Sequence, residues 1–214
     1  MRECGPSRPG PSRNSFSVAA RLVRSLTGMS LPLGQIVTYV NRFFCECALA
    51  GQYATLVCGL AKPTGEIEIH NAGHCPAIVV GRGGVSCIEP NGLPLGMFLE
   101  TEFSAMPVQL EAGDTLFLYT DGLSEASNES SEYGVDRVMT LVHQHAARQP
   151  AELIDACLDD VRAFTNGAPN FDDMTVLAPS ALRLSGFVPR CRLWVVMVNC
   201  WGDVAVGVPS KIGR

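Results

Sequence analysis

Charge is scarce in this chain, and basic charge is scarcer still. Asp, Glu, Lys and Arg make up 17% of the 214 residues, and 16 basic side chains face 21 acidic ones for a formal net charge of −5. A track that neutralises nucleic-acid phosphates needs the opposite balance, so no nucleic-acid partner is expected. Long apolar runs are also lacking. The strongest late run, Leu193 to Val198, falls well short of a bilayer span before Asn199, Gly202 and Asp203 interrupt it. No N-terminal apolar core with a cleavage site appears, so no membrane span is expected and the default location is the cytoplasm. Cysteine is plentiful but lacks order: nine thiols run from Cys4 to Cys200 without framework spacing, and the count is odd. That excludes a disulfide scaffold and leaves reduced, mostly buried thiols. Cys45 and Cys47 lie two apart in a helical pattern, point to different faces, and make a poor zinc clamp.

What is present is apolar. Hydrophobic residues make up 47% of the chain, enough for a folded body of one domain. Residues 1–15 are the exception: Arg2, Arg8 and Arg13 sit among Pro, Gly and Ser, which reads as a disordered tail.

Periodicity divides the rest. Val18, Leu22, Leu26 and Met29 mark one core-facing helix, and Leu33, Ile36, Val37, Val40, Phe43, Phe44 and Cys47 mark a cleaner second one. After Gly51 the pattern turns to strands. Ala54–Leu60 and Glu66–Asn71 are joined by the turn Lys62-Pro63-Thr64-Gly65, and Ala77–Val80 and Val85–Ile88 by a glycine-rich turn. Glu102–Val108 and Thr115–Thr120 read as further strands. Helical spacing returns at Val135–Val142 and at Ile154–Phe164, the latter opened by Pro150 and ended by Asn166, Gly167 and Pro169. Met174–Leu177 reads as a last strand. This order of helices and hairpins gives an α+β fold of antiparallel layers. Residues 181–214 carry no clear period and stay open between an appended strand pair, a sticky tail and sequence that never folds.

Two acidic contexts carry candidate chemistry. The apolar strand Phe117-Leu118-Tyr119-Thr120 stops at Asp121-Gly122, and Asp172-Asp173 stands just before Met174. Acids gathered at neighbouring strand ends repel one another, and a divalent cation offsets this. Oxygen donors point to magnesium or manganese rather than zinc. Taken singly, each motif is more often an ordinary turn or a solvated loop than a metal site. His74 titrates in the range of a general acid, but a turn residue satisfying backbone groups is the stronger reading. Cys75 has no cationic neighbour in sequence to activate it as a nucleophile.

The flanks weigh against the bland reading. Asn71-Ala72-Gly73-His74-Cys75-Pro76, Gly92-Leu93-Pro94-Leu95-Gly96, Leu118-Tyr119-Thr120-Asp121-Gly122-Leu123 with Glu125-Ala126, Tyr133-Gly134 and Asp172-Asp173-Met174-Thr175 occur in that order. Together they resemble the SpoIIE-like branch of the metal-dependent serine/threonine protein phosphatases, the protein phosphatase 2C superfamily. The likeness runs from about Val18 to Ala178 and takes in Asn41 on its helix.

The resemblance implies a two-layer antiparallel β-sandwich flanked by helices, with two manganese or magnesium ions at one end. It implies that a metal-activated water hydrolyses phosphoserine or phosphothreonine on a phosphorylated regulatory protein of the anti-anti-sigma-factor type. Asp121 and Asp172 would be metal ligands, with Asp173, Gly122 and His74 as further residues at or behind the metal. The sequence departs from the pattern at its start. The family's Gly-Asp and Asp-Val-x-Gly-His-Gly segments, which supply the remaining carboxylates, are absent, and Asn14-Ser15-Phe16-Ser17 precedes the first helix without an acid. The expectation is therefore a partial domain over 16–180 that lacks N-terminal strands, exposes sheet edges and is weakly active or inactive. The alternatives are a non-catalytic pseudophosphatase that binds a partner, or a gene fragment.

Overall fold

Leu33, Ile36, Val37, Val40 and Phe44 share one face of a 3.6-residue period, and in the computed structural model they form the buried stripe of helix α1, Leu33–Cys47. The structure describes residues 22–23, 25–26, 31–47, 53–62, 65–81, 83–128, 130–167, 174–180, 194–200 and 203–207. The expected tail over 1–15 and the Asp172-Asp173 pair lie outside these. Within the first expected helix, the described residues are helical, and Leu22, Val23 and Leu26 pack on the cluster formed by α1.

Strands β1, Thr55–Ala61, and β2, Glu66–Ala72, pair antiparallel. Lys62 N donates to Glu66 O at 2.8 Å and Gly65 N to Lys62 O at 3.1 Å, closing the turn. Gly65 has φ +85°, and a Cβ there would lie 2.5 Å from Leu110 O, so the turn requires glycine. A second hairpin joins β3, Ala77–Gly81, to β4, Gly84–Ile88. Then come β5, Met106–Gln109, and β6, Thr115–Tyr119. Three helices follow: the single turn α2, Asp121–Ser124, then α3, Val135–Gln144, and α4, Pro150–Thr165. Pro150 opens α4 where its missing N–H costs nothing, and Asn166 closes it in the left-handed region at φ 47°. The remaining strands are β7, Val176–Leu177, β8, Trp194–Cys200, and β9, Asp203–Gly207.

The strands form two antiparallel sheets, ordered β5-β2-β1-β8-β9 and β4-β3-β6-β7. Alternation along β1 and β6 explains how they stack. Leu56 and Cys58 face α1, whereas Val57 and Ala61 meet Leu116 and Leu118 of β6 in the sandwich interior. Phe117 and Tyr119 face the other way, onto Val138, Val142, Leu153, Cys157 and Val161 of α3 and α4. All five residues of β6 are buried, as a strand covered on both faces requires. The layers run helix, sheet, sheet, helix pair.

One expectation is corrected. The strand expected over 102–108 is confined to Met106–Gln109. The residues before it are held by side chains instead: Asn91 Nδ2 donates to Ser104 O at 2.8 Å and Phe103 packs on the α1 cluster. On the other side of β1 from β2, β8 pairs from Thr55↔Asn199 to Leu60↔Trp194. Of the arrangements left open for 181–214, a strand pair is present at Trp194–Cys200 and Asp203–Gly207. No helix among the described residues is long and apolar enough to cross a membrane.

Candidate functional site at the end of β6

The candidate carboxylate stands where a buried strand stops. Thr120 is fully buried in extended conformation, φ −94° and ψ 160°, and heads the single helical turn that begins at Asp121. Leu123 N donates to Thr120 O at 2.9 Å and Glu125 N to Asp121 O at 2.7 Å, which fixes the backbone of the acid. Asp121 Oδ1 accepts the Gly122 N–H at 2.9 Å, and Gly122 is itself buried. Further on, Tyr133 N donates to Ala126 O at 2.7 Å and Gly134 N to Ser124 O at 2.8 Å, tying the turn to the start of α3. Tyr133 is held in its turn: its hydroxyl donates to Asp160 at 2.6 Å, and Arg137 bonds the same carboxylate while lying 4.9 Å over the Tyr133 ring.

β7 brings a second segment to the same place. Thr120 N donates to Thr175 O at 3.1 Å, and Thr175 N donates to Thr120 Oγ1 at 2.9 Å. The strand that follows Asp172 and Asp173 is thus bonded to the residue before Asp121. The two aspartates themselves lie outside the described residues.

The turn after β2 borders this end. Asn71, buried, accepts the His74 N–H on Oδ1 at 2.8 Å and donates from Nδ2 to Cys75 O at 3.1 Å, so one side chain satisfies both ends of the turn. Gly73 has φ +68°, and a Cβ there would come within 2.6 Å of Pro94. The His74 ring is buried, with Nδ1 2.9 Å from Thr55 Oγ1 and no hydrogen-bond partner for Nε2. Burial pushes its pKa down to about 4, against a smaller upward pull from the Tyr119 backbone, so the ring is neutral near pH 7. Burial first, then the negative charges of Asp121 and Glu125, push the Cys75 thiol up to about 12. A thiol held so high is not a nucleophile at neutral pH.

Behind burial, Asp121 and Glu125 add to the upward shift of the Cys75 thiol, and carboxylates are donors of the type a hard divalent cation takes. Glu125, part of the motif around Asp121 but given no role from the sequence, caps the α2 turn at its C-terminal end. The donor chemistry, carboxylate oxygen, fits magnesium or manganese. Among the described residues no group of three or more His, Cys, Asp and Glu side chains gathers to hold a metal; of the two carboxylates expected to bind one, only Asp121 is within them.

A helix-flanked antiparallel sandwich that ends a buried strand at a carboxylate defines the architectural class. The chain belongs to the Stage II sporulation protein E (SpoIIE) family, whose model matches residues 14–181. It is 28% identical over 130 residues to Protein IcfG of Synechocystis sp., covering 59% of this chain and 20% of that protein. Solved structures share the fold. The RsbU and RsbW domains of Rv1364c from Mycobacterium tuberculosis match with TM-score 0.63 at 24% identity, over 77% of this chain and 46% of that one. The PP2C phosphatase domain of SpoIIE from Bacillus subtilis, with a fragment of its regulatory domain, matches with TM-score 0.65 at 18% identity, over 79% and 51%. The phosphatase domain of that Bacillus protein has also been solved after presoaking in manganese, matching with TM-score 0.53 at 16% identity, over 87% and 81%. The chain thus spans about a fifth of the curated relative and about half of the first two structures.

Proposed function

We propose that this chain is a metal-dependent phosphatase domain that hydrolyses phosphoserine or phosphothreonine on a regulatory protein partner, with Asp121 and Asp172 as metal ligands and Asp173 beside them. The observation that carries this is the reciprocal hydrogen bonding between Thr120 and Thr175. Asp172 and Asp173 stand three and two residues before Thr175 in the sequence, and acids that share one sheet end would repel one another in a way that a bound cation offsets.

A bound manganese or magnesium ion would supply charge neutralisation at the phosphoryl group and a water of lowered pKa. The chain's own part is positional. The β6–α2 junction holds Asp121 in a backbone fixed at both ends, and neutral His74 braces the adjoining turn without adding positive charge. Burial keeps the Cys75 thiol protonated, which does not favour it as a nucleophile. The partner class, a phosphorylated protein of the anti-anti-sigma-factor type, follows from family likeness.

The test is calorimetric titration with manganese together with phosphate release from a phosphoserine protein, for this chain and for Asp121→Asn. Manganese binding and manganese-dependent release, both lost in the variant, are the expected results. Binding without release by the chain would instead mark a non-catalytic partner-binding relative. Equal metal binding by both proteins would remove Asp121 from the metal site.

A further inference from the structure

The loop between β4 and β5 exposes what a monomer ordinarily buries. Leu93, Met97, Phe98 and Leu99 are each 46–58% exposed. Leu93, Phe98 and Leu99 line a shallow cavity of about 580 Å³ whose rim carries Glu100 and Glu102. Contiguous exposed apolar side chains of this size mark interaction surfaces.

This loop is held rather than loose. Asn41, fully buried on α1, donates from Nδ2 to Phe98 O at 2.9 Å and accepts Gly96 N–H on Oδ1 at 2.9 Å. Leu95 exchanges two backbone hydrogen bonds with Ala54, at 2.9 and 2.7 Å, and Thr101 Oγ1 donates to Phe98 O at 2.9 Å. A backbone so fixed presents its side chains outward at little further cost in entropy on binding, which is the condition of a preformed docking surface. It also adjoins the turn after β2: Pro94 lies against Gly73, beside His74 and Cys75, and that turn leads into β3, the neighbour of the β6 strand that ends at Asp121.

The rim selects the occupant. Glu100 and Glu102 are exposed and form no ion pair among the described residues. Acid beside an apolar floor repels anionic lipid and nucleic acid and complements a segment whose apolar anchors alternate with Lys or Arg. We propose that the 93–102 loop docks a basic, amphipathic segment of the phosphoprotein partner and so sets substrate preference from outside the chemistry. This rests on the phosphatase reading given above.

The test uses two phosphoserine peptides that share the phosphorylated stretch, one extended by a Leu/Lys/Arg segment and one by a Gly/Ser segment of equal length. Binding of their fluorescent, unphosphorylated forms is followed by anisotropy, and hydrolysis of the phosphorylated forms by phosphate release with manganese. The basic segment is expected to tighten binding about tenfold, the range of one well-buried anchor. F98S with L99S, and separately E100K with E102K, should each erase that difference while leaving hydrolysis of p-nitrophenyl phosphate unchanged. Equal binding of both peptides to the unmodified chain would overturn the proposal. So would a concentration-dependent dimer in sedimentation that F98S with L99S abolishes, since the occupant would then be a second copy. Preferential binding with no hydrolysis of either peptide would support docking and count against the phosphatase reading, so the two fail separately.

Discussion

Replacing Asn41 with Ala tests whether α1 and the 91–99 loop form one unit. The wild-type amide makes two hydrogen bonds at 2.9 Å, to Phe98 O and from Gly96 N, and a longer one at 3.4 Å to Leu99 O. Each good bond is worth about 1 kcal/mol net, and a partner left unsatisfied costs about 1–3 kcal/mol more. Phe98 lies in an exposed loop, where water recovers part of that loss, so the expected destabilisation is about 2–4 kcal/mol. Against the roughly 5–15 kcal/mol of a typical domain this is a large fraction, on the order of a 10 °C fall in Tm. Urea unfolding followed by circular dichroism should show a lower midpoint with an unchanged slope. Asn41→Asp discriminates further. Its carboxylate points at the Phe98 carbonyl from a buried position, so its folded-state pKa is raised. The variant should therefore be more stable at acid pH and lose stability as pH rises through that value. A loss below about 1 kcal/mol in the Ala variant, with no pH dependence in the Asp variant, would refute the clamp.

Two further outcomes follow from the turn after β2. His74 has a folded-state pKa near 4 against 6.5 for the unreacted ring, so the unfolded chain binds the proton more readily between those values. Its contribution to stability is complete above about pH 6.5 and is lost as pH falls toward 4, by up to about 1.4 kcal/mol per pH unit. His74→Asn should flatten that part of the stability profile measured by urea titration at stepped pH; an unchanged slope would mean that the ring is hydrated. Gly73→Ala forces a left-handed backbone on a residue with a Cβ and drives that atom to 2.6 Å from Pro94. A loss of about 2–4 kcal/mol in thermal unfolding is expected, and one below about 1 kcal/mol would show that the 92–96 loop gives way.

Much of the fold was legible because it is local. The α1 stripe, both hairpins, the Pro150 start of α4 and its Asn166 stop are written in spacings of two, three and four residues and in turn chemistry. The misses are elements whose existence depends on distant partners. β8 reads Trp-Val-Val-Met-Val-Asn-Cys, with no alternation to announce a half-buried strand, and its pairing is with β1, far away in the chain. β5 is short because Phe103 and Asn91 capture the residues before it, a tertiary contact invisible to periodicity. α2 is one turn long, too short to show a period at all.

The candidate site divides along the same line. The identity of an acid at the end of an apolar strand is a local fact, and Asp121 was nominated from its flanks. Its electrostatic surroundings are not local: the influence of Asp121 and Glu125 on Cys75 arises because β3 lies beside β6, with Ile78 opposite Phe117. The register of β7 on β6 is nonlocal too, and it decides which residue meets Thr120. Shifting that register by one position would turn alternate side chains to the opposite face. The threonine hydroxyl of Thr120, bonded to the Thr175 amide, is thus more than a cap. It helps to hold Thr175 opposite Thr120, and with it the register in which β7 joins the strand that ends at Asp121.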